Sequence, residues 1–179
     1  NTPWGKDGTR FCRFGREFDP GPTPPLPPNA VDPFLAFVGG YITYRIPSLN
    51  QLGPGKLLLI AEARKYSTDD MDHGWNDIVQ KTSTDSGRSW SSMALIHSES
   101  KPGAWVTIGN PAPVVLHSHP GTVLLVASRN NQMAILLRSE DNASSWSKPR
   151  NLTNVSPAAR NWTWLATGPP GGIQLPSGR

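Results

Sequence analysis

The sequence predicts an all-β fold built from repeated four-stranded units. Three observations carry that reading. Gly and Pro account for 17 and 19 of the 179 residues, about a fifth of the chain against a background of roughly 12%. Such a composition interrupts helices and supplies tight turns. From Tyr41 onward, short apolar runs alternate with turn signals, and no segment carries a sustained 3.6-residue apolar period. An eight-residue motif, Ser83-Thr84-Asp85-Ser86-Gly87-Arg88-Ser89-Trp90, returns 56 residues later as Ser139-Glu140-Asp141-Asn142-Ala143-Ser144-Ser145-Trp146.

Residues 1–40 read as a lead-in, with the Pro-rich stretch 20–29 expected to be extended and irregular. Residues 41–179 read as the folded domain. Its expected strands are Tyr41–Ile46, Lys56–Glu62, Asp77–Ser83, Met93–His97, Pro113–Leu116, Thr122–Ser128, Met133–Ser139 and Gly172–Leu175. Gly-Pro-Gly at 53–55, Asp-Ser-Gly at 85–87 and His-Pro-Gly at 119–121 are turn chemistry between them. Each copy of the repeated octet follows an apolar run, as a hairpin corner would. The Asp carboxylate can accept hydrogen bonds from the turn's own amides. Gly supplies a positive φ, and Trp anchors the corner beneath. A four-stranded unit returning every ~40–50 residues is the mark of a β-propeller blade, and a 56-residue offset is slightly longer than that.

Composition excludes several function classes. At 36% hydrophobic residues, with seven Trp, five Phe and three Tyr, the chain can bury a core. A net charge of +4 without a basic run is a poor footprint for a nucleic-acid or membrane-surface binder. There is no apolar stretch of about 18 residues to span a bilayer. The single Cys12 allows no intramolecular disulfide. The chain opens on Asn1 without a leader, so it is expected to be a processed product or a piece of a longer chain. Sequons at Asn142, Asn151, Asn154 and Asn161 lean toward a secretory route. His117 and His119 stand at i, i+2 beside a turn and are too few ligands for a metal site. No cofactor is expected.

The residues that bear chemistry lie around the repeats. Arg45, in Tyr44-Arg45-Ile46-Pro47, offers a planar guanidinium suited to bidentate capture of a carboxylate; it is equally readable as a surface arginine beside a buried Ile. Arg64 closes Ala61-Glu62-Ala63-Arg64, where the alternative is a strand-end pairing with Glu62. An acid-rich loop then carries Asp69, Asp70 and Asp72 ahead of His73-Gly74-Trp75-Asn76-Asp77-Ile78-Val79. Asn110 precedes Pro111, and its alternative is an Asn that holds a turn. Trp90 and Trp146 are corner anchors, while Trp162 and Trp164 have no assigned partner.

Taken in order, these segments resemble the sialidase family. The octets are similar to its Asp boxes, the second departing at Ala143 where Gly is expected, and they imply a six-bladed β-propeller of which this chain holds about two and a half blades. Tyr44-Arg45-Ile46-Pro47 resembles the family's (F/Y)-R-I-P motif, which implies that Arg45 is one of three arginines gripping the substrate carboxylate. Ala61-Glu62-Ala63-Arg64 resembles its A-E-x-R segment and implies that Arg64 faces the O4 side of the sugar. Asp72-x-Gly74-x-x-Asp77-Ile78-Val79 matches D-x-G-x-x-D-I-V, which implies Asp72 as the acid/base. Counting forward from Arg64 favours Asp69 or Asp70 instead. Asn110-Pro111 implies a contact with the C4 or C5 substituents. Residues 164–175 look like the T-G-P-G-x-G-I-Q-L segment, with Pro170 in place of a glycine.

The implied activity is that of an exo-α-sialidase releasing terminal sialic acid from sialylated glycoconjugates with retention. Its nucleophile would be a Tyr, because a carboxylate would be repelled by an anionic sugar. Tyr41, Tyr44 and Tyr66 stand in the wrong motif context for that role, so the nucleophile, its Glu and two more arginines are expected beyond Arg179 and this stretch alone is expected to be inactive. A trans-sialidase and a non-catalytic glycan- or protein-binding propeller are the alternatives.

Overall fold

The computed structural model describes residues 30–66, 73–152, 162–169 and 171–178, together with the backbone of two short strands in the lead-in. Those two are β1 (Phe11–Arg13) and β2 (Arg16–Phe18), an antiparallel hairpin pairing Phe11 with Phe18. The lead-in is therefore less irregular than its composition suggests. The Pro-rich stretch 20–29 lies outside the described residues.

Two four-stranded antiparallel sheets follow. The first contains β3 (Thr43–Gly53), β4 (Lys56–Arg64), β5 (Asn76–Ser83) and β6 (Ala94–His97). The second contains β7 (Ile108–Val115), β8 (Val123–Arg129), β9 (Met133–Ser139) and β10 (Arg150–Asn151). In each sheet the strands hydrogen-bond in chain order, so each is a meander of the kind that forms a propeller blade. No helix occurs among the described residues.

The sheets meet face to face across an apolar seam. Strand residues alternate sides. Leu58, Ile60 and Ile78 of the first sheet and Ile108, Val123, Leu125, Ala127, Ile135 and Leu137 of the second form one buried cluster. Burying each Leu or Ile contributes about 1.5–3 kcal/mol. Hydrogen bonds cross the seam as well. Gln80 on β5 donates to the Ala143 carbonyl at 2.6 Å and accepts from the Trp146 indole N–H at 2.9 Å. Toward the outer side, Arg129 at the end of β8 donates to Glu99 at 2.6 Å, and His97 of β6 lies 3.1 Å from the same carboxylate. Burial alone would raise the Glu99 carboxyl, but the Arg129 and His97 hydrogen bonds and charges outweigh it and hold it below the usual range.

Both Asp-containing corners have the same construction. Ser83 Oγ donates to Asp85 at 2.8 Å and accepts from the Gly87 amide at 2.8 Å. Asp85 accepts from the Ser89 amide at 2.9 Å and the Ser89 hydroxyl at 2.6 Å. Ser139, Asp141, Ala143 and Ser145 repeat the pattern, with 2.8, 2.9, 2.9 and 2.5 Å for the corresponding bonds. Gly87 has φ +87° and Ala143 has φ +64°, so Ala143 occupies the slot that favours glycine. A Cβ added at Gly87 would meet Leu57 at 3.4 Å and Trp90 at 3.7 Å, ordinary contacts, which is why the corner tolerates a methyl sterically.

β10 was not expected from the sequence, and three expected strands differ in extent or kind. The first expected strand, Tyr41–Ile46, runs on through Gly53 after a bulge between Arg45 and Ser48. The strand expected at Pro113–Leu116 begins at Ile108, and a bulge between Gly109 and Ala112 takes up Asn110 and Pro111. Prolines are tolerated there because β7 is an edge strand of its sheet. Gly172–Leu175 is not a strand. It passes close to β7 instead: Gly172 N donates to the Pro113 carbonyl at 3.0 Å, and a Cβ at Gly168 would lie 2.7 Å from the Pro111 carbonyl.

Two predictions follow from the corners. Ala143→Gly releases about 1–2 kcal/mol of left-handed strain. It also removes a buried methyl worth ~0.8 kcal/mol and adds ~0.4–1 kcal/mol of unfolded-chain freedom. These terms nearly cancel, so thermal melts should show almost no shift, whereas Ala143→Val, β-branched at the same φ, should lower Tm clearly. A large gain for the glycine variant would mean the methyl contributes nothing to the seam.

The second concerns acid. The Ser89 hydroxyl, followed by the Ser89 amide and the Ser83 hydroxyl, pulls the Asp85 carboxyl down to about 2, and the Ser145 and Ser139 groups do the same to Asp141. A carboxyl lowered by folding stabilises the fold above its ordinary value of 3.8, and that contribution is lost as pH falls toward 2. Denaturant titrations at several pH values should show Asp141→Asn less stable than wild type at neutral pH. The gap should close between pH 3.8 and 2, and a gap that persists at the acid end would refute the linkage.

Candidate functional site

The seam turns polar at one end. Along one face of β4, Leu58 and Ile60 give way to Glu62 and Arg64, which are 2% and 1% exposed. In register, Glu62 lies opposite Arg45 on β3, while Arg64 lies opposite Asn76 on β5. The two-residue period thus places Arg45, Glu62 and Arg64 on one face. Arg64 donates to Glu62 Oε2 through Nε at 3.1 Å and Nη2 at 2.9 Å. The pairing that the sequence left open is therefore present. Arg45 is half-buried.

Across the seam, Asn110 sits at the β7 bulge with φ +52°. Its amide N–H donates to Glu62 Oε1 at 2.6 Å. Its side-chain amide donates to Ser128 Oγ at 3.0 Å and Asn131 Oδ1 at 3.2 Å, and its carbonyl accepts from Thr167 Oγ1 at 2.6 Å. Ile46 mirrors Asn110. It also has φ +52°, precedes a proline and lies at the bulge of the edge strand β3. A β-branched residue in that region is strained, and the strain lies next to Arg45, as strained backbone often does near functional groups.

Beyond Asn131 opens a cleft of about 530 Å3 lined by His73, Gly74, Trp105, Thr107, Asn130, Asn131, Gln132, Thr163 and Trp164. Thr107 Oγ1 donates to the Gly74 carbonyl at 3.0 Å and accepts from the Gly74 amide at 2.8 Å, joining the two sheets at the cleft floor. Among the described residues the lining offers amides, hydroxyls, the His73 imidazole and two half-exposed indoles, Trp105 and Trp164, and no carboxylate. That chemistry suits a neutral, hydroxyl-rich group. Trp164, unassigned by sequence, is thus a cleft wall. Asp69, Asp70 and Asp72 lie outside the described residues, but Asp72 directly precedes His73 in the chain.

Three buried groups here have contacts that sequence reasoning missed. Glu62 is the shared acceptor of Arg64 and Asn110. Asp77 Oδ2 accepts from the Tyr41 hydroxyl at 2.8 Å and the Trp75 indole at 3.0 Å. Asn76 is 1% exposed, and neither its amide oxygen nor its amide nitrogen has a hydrogen-bond partner among the described residues. Burial, then the Asp77 hydrogen bond and charge, push the Tyr41 phenol well above its ordinary value, and burial pushes Tyr44 up to about 12. Both phenols are therefore held in the protonated form.

Comparisons with known proteins agree with this architecture. No family model matches the chain. Human sialidase-4 is 31% identical over 156 aligned positions, covering 77% of this chain and 31% of the relative. The exo-alpha-sialidase of Aspergillus fumigatus is 29% identical over 170 positions, covering 78% and 40%. Among solved structures, the Hadza microbial sialidase Hz136 superposes with a TM-score of 0.69 at 27% identity, covering 80% of this chain and 32% of that one. Trypanosoma rangeli sialidase in complex with sialic acid gives 0.57 at 18% identity, covering 77% and 25%, a likeness of fold. The chain spans about a third of the length of the curated relatives it matches. Agreement of motif order, blade architecture and sequence with these proteins places the chain in the sialidase (neuraminidase) family, as part of its β-propeller.

Proposed function

We propose that the protein carrying this chain is an exo-α-sialidase that releases terminal sialic acid from glycoproteins, glycolipids or oligosaccharides with retention of configuration. The observation that carries the reading is the meeting of Arg45, Arg64 and Asn110, from three strands and two sheets, at the polar end of the seam beside a cleft lined by amides, hydroxyls and indoles. A sialic acid has this duality: one carboxylate, and otherwise hydroxyls and an acylamino group. Arg45 holds the carboxylate through its planar fork. Arg64, buried against Glu62, faces the O4 side of the sugar. Asn110 orients the C4 or C5 substituents. Asp72 protonates the departing oxygen and later activates water, and Asp70 is the alternative for that role. The nucleophile is a tyrosine elsewhere in the protein.

Arg45 is tested by Arg45→Lys in the full-length protein, which keeps the charge and loses the fork. kcat/KM for a sialoside should drop at least about tenfold, in line with the ~1.5–3 kcal/mol of a hydrogen bond to a charged group, with little change in Tm. Loss of folding instead would make Arg45 structural.

The loop aspartates are separated by leaving group. A general acid matters most when the leaving oxygen is a poor one. Asp72→Ala should nearly abolish cleavage of natural sialyl-glycans and keep a larger fraction of activity on an activated aryl sialoside. Asp69→Ala and Asp70→Ala should affect both substrates alike and mildly. Should Asp70→Ala show the selective defect while Asp72→Ala stays active, the assignment moves to Asp70.

A further inference from the structure

We propose that Glu62 is a positioning residue that locks the two halves of the site together across the blade boundary, an inference that rests on the sialidase reading above. Its carboxylate is divided between two tasks. Oε2 takes both Nε and Nη2 of Arg64, fixing the guanidinium plane from within its own strand. Oε1 takes the Asn110 amide from the facing sheet at 2.6 Å.

The second bond depends on two features of β7. The bulge between Gly109 and Ala112 removes Asn110 from the strand ladder, so its N–H needs another acceptor. Gly109 supplies the room: a Cβ there would lie 2.5 Å from Glu62 Oε1 and 3.1 Å from Cδ. The glycine is therefore required by close approach of the carboxylate, its φ lying outside the left-handed region. From Asn110 the connection continues through Asn131 to the cleft wall. Arg64, Asn110 and the cleft are thus indexed to one buried carboxylate, and the cross-strand neighbour of that carboxylate is Arg45.

Neither conservative replacement reproduces this. Aspartate is one methylene shorter and cannot span from Arg64 to the facing sheet. Glutamine keeps the length, but it presents an N–H2 to one of two partners that are themselves donors and leaves Arg64 without its counter-charge. Displacements of about 1 Å in positioning groups can lower rates on the order of 100-fold.

The test uses the full-length protein and two readouts. The first is amide hydrogen exchange at Asn110. In wild type this N–H should be protected although it lies at a bulge, and Glu62→Gln should speed its exchange at least tenfold. The second is turnover of an aryl sialoside. Glu62→Gln should lose at least tenfold in kcat/KM per folded molecule, mostly through KM, because Arg64 and Asn110 are assigned to holding the sugar. Gly109→Ala leaves the Arg64 pair intact while displacing Oε1 from Asn110. It should reproduce both effects, and it serves where Glu62→Gln does not fold. Combining the two changes should lose no more than Glu62→Gln alone, since the bond that Gly109→Ala breaks is one that Glu62→Gln already weakens. Unchanged Asn110 exchange in either folded variant overturns the proposal, as does a lowered Tm with kcat/KM per folded molecule intact. Accelerated exchange in the variants of a protein whose wild type neither turns over nor binds a sialoside would refute the sialidase reading and leave the lock between the blades standing.

Discussion

The alternation along β4 is the constraint from which the rest follows. Leu58, Ile60, Glu62 and Arg64 occupy one face of one strand. The first two belong to the seam that holds two sheets together, and the last two belong to the candidate site. Because the period is two, no residue on that face can change sides without all of them doing so. The register that buries Ile60 therefore also delivers Glu62 to Asn110 of the next sheet. Each further link across the seam, Gln80 to the second Asp box and Thr107 to Gly74, depends on the same face-to-face approach. Site geometry and fold stability are in this sense one property.

What was legible in the sequence is what is local. The Asp boxes close on themselves within seven residues, through Ser83–Asp85–Ser89 and Ser139–Asp141–Ser145, so their residue types announce the geometry, down to the positive φ that Ala143 adopts in a glycine's place. Most strands were legible by their apolar runs. β7 was not fully so, because Asn110-Pro111 reads as a turn ahead of Pro113 until the bulge and the edge position are known. Gly172–Leu175 has the texture of a strand and instead passes beside β7, held there by glycines whose backbone comes close to its carbonyls. Arg45, Arg64 and Asn110 were legible as motif members. Glu62 was visible only as a possible partner of Arg64. Its second partner lies 48 residues away in another sheet, and no local pattern encodes that contact.

The two bulges show how the fold reaches the site from both sides. Ile46 on β3 and Asn110 on β7 share the same φ, the same following proline and the same edge-strand position. A proline cannot donate to a ladder, so each strand gives up a regular hydrogen bond at this point. The residue before it is forced out of line. On β3 this displaces the chain beside Arg45, and on β7 it turns an amide toward Glu62. Strain of this sort costs of order 1–3 kcal/mol per residue, and it persists because the seam over-determines both strands.

A buried charge is an expensive way to join two sheets. Apolar residues of the same volume often hold a protein equally well or better, since taking two charges out of water costs several kcal/mol each. The seam already supplies apolar contacts along Leu58, Ile60 and Ile78, so Glu62 and Arg64 are not needed to make the sheets adhere. What an apolar pair could not provide is direction. Leucine in place of Glu62 would accept no hydrogen bond, and the Asn110 amide, outside its ladder, would be left without a partner in the interior. The charge on Arg64 would likewise be absent from the end of the seam where the motif residues gather. Dispersion and the hydrophobic effect fix how close the sheets come. The carboxylate fixes which atoms face each other when they do, and the recognition of an anionic sugar proposed above rests on the second.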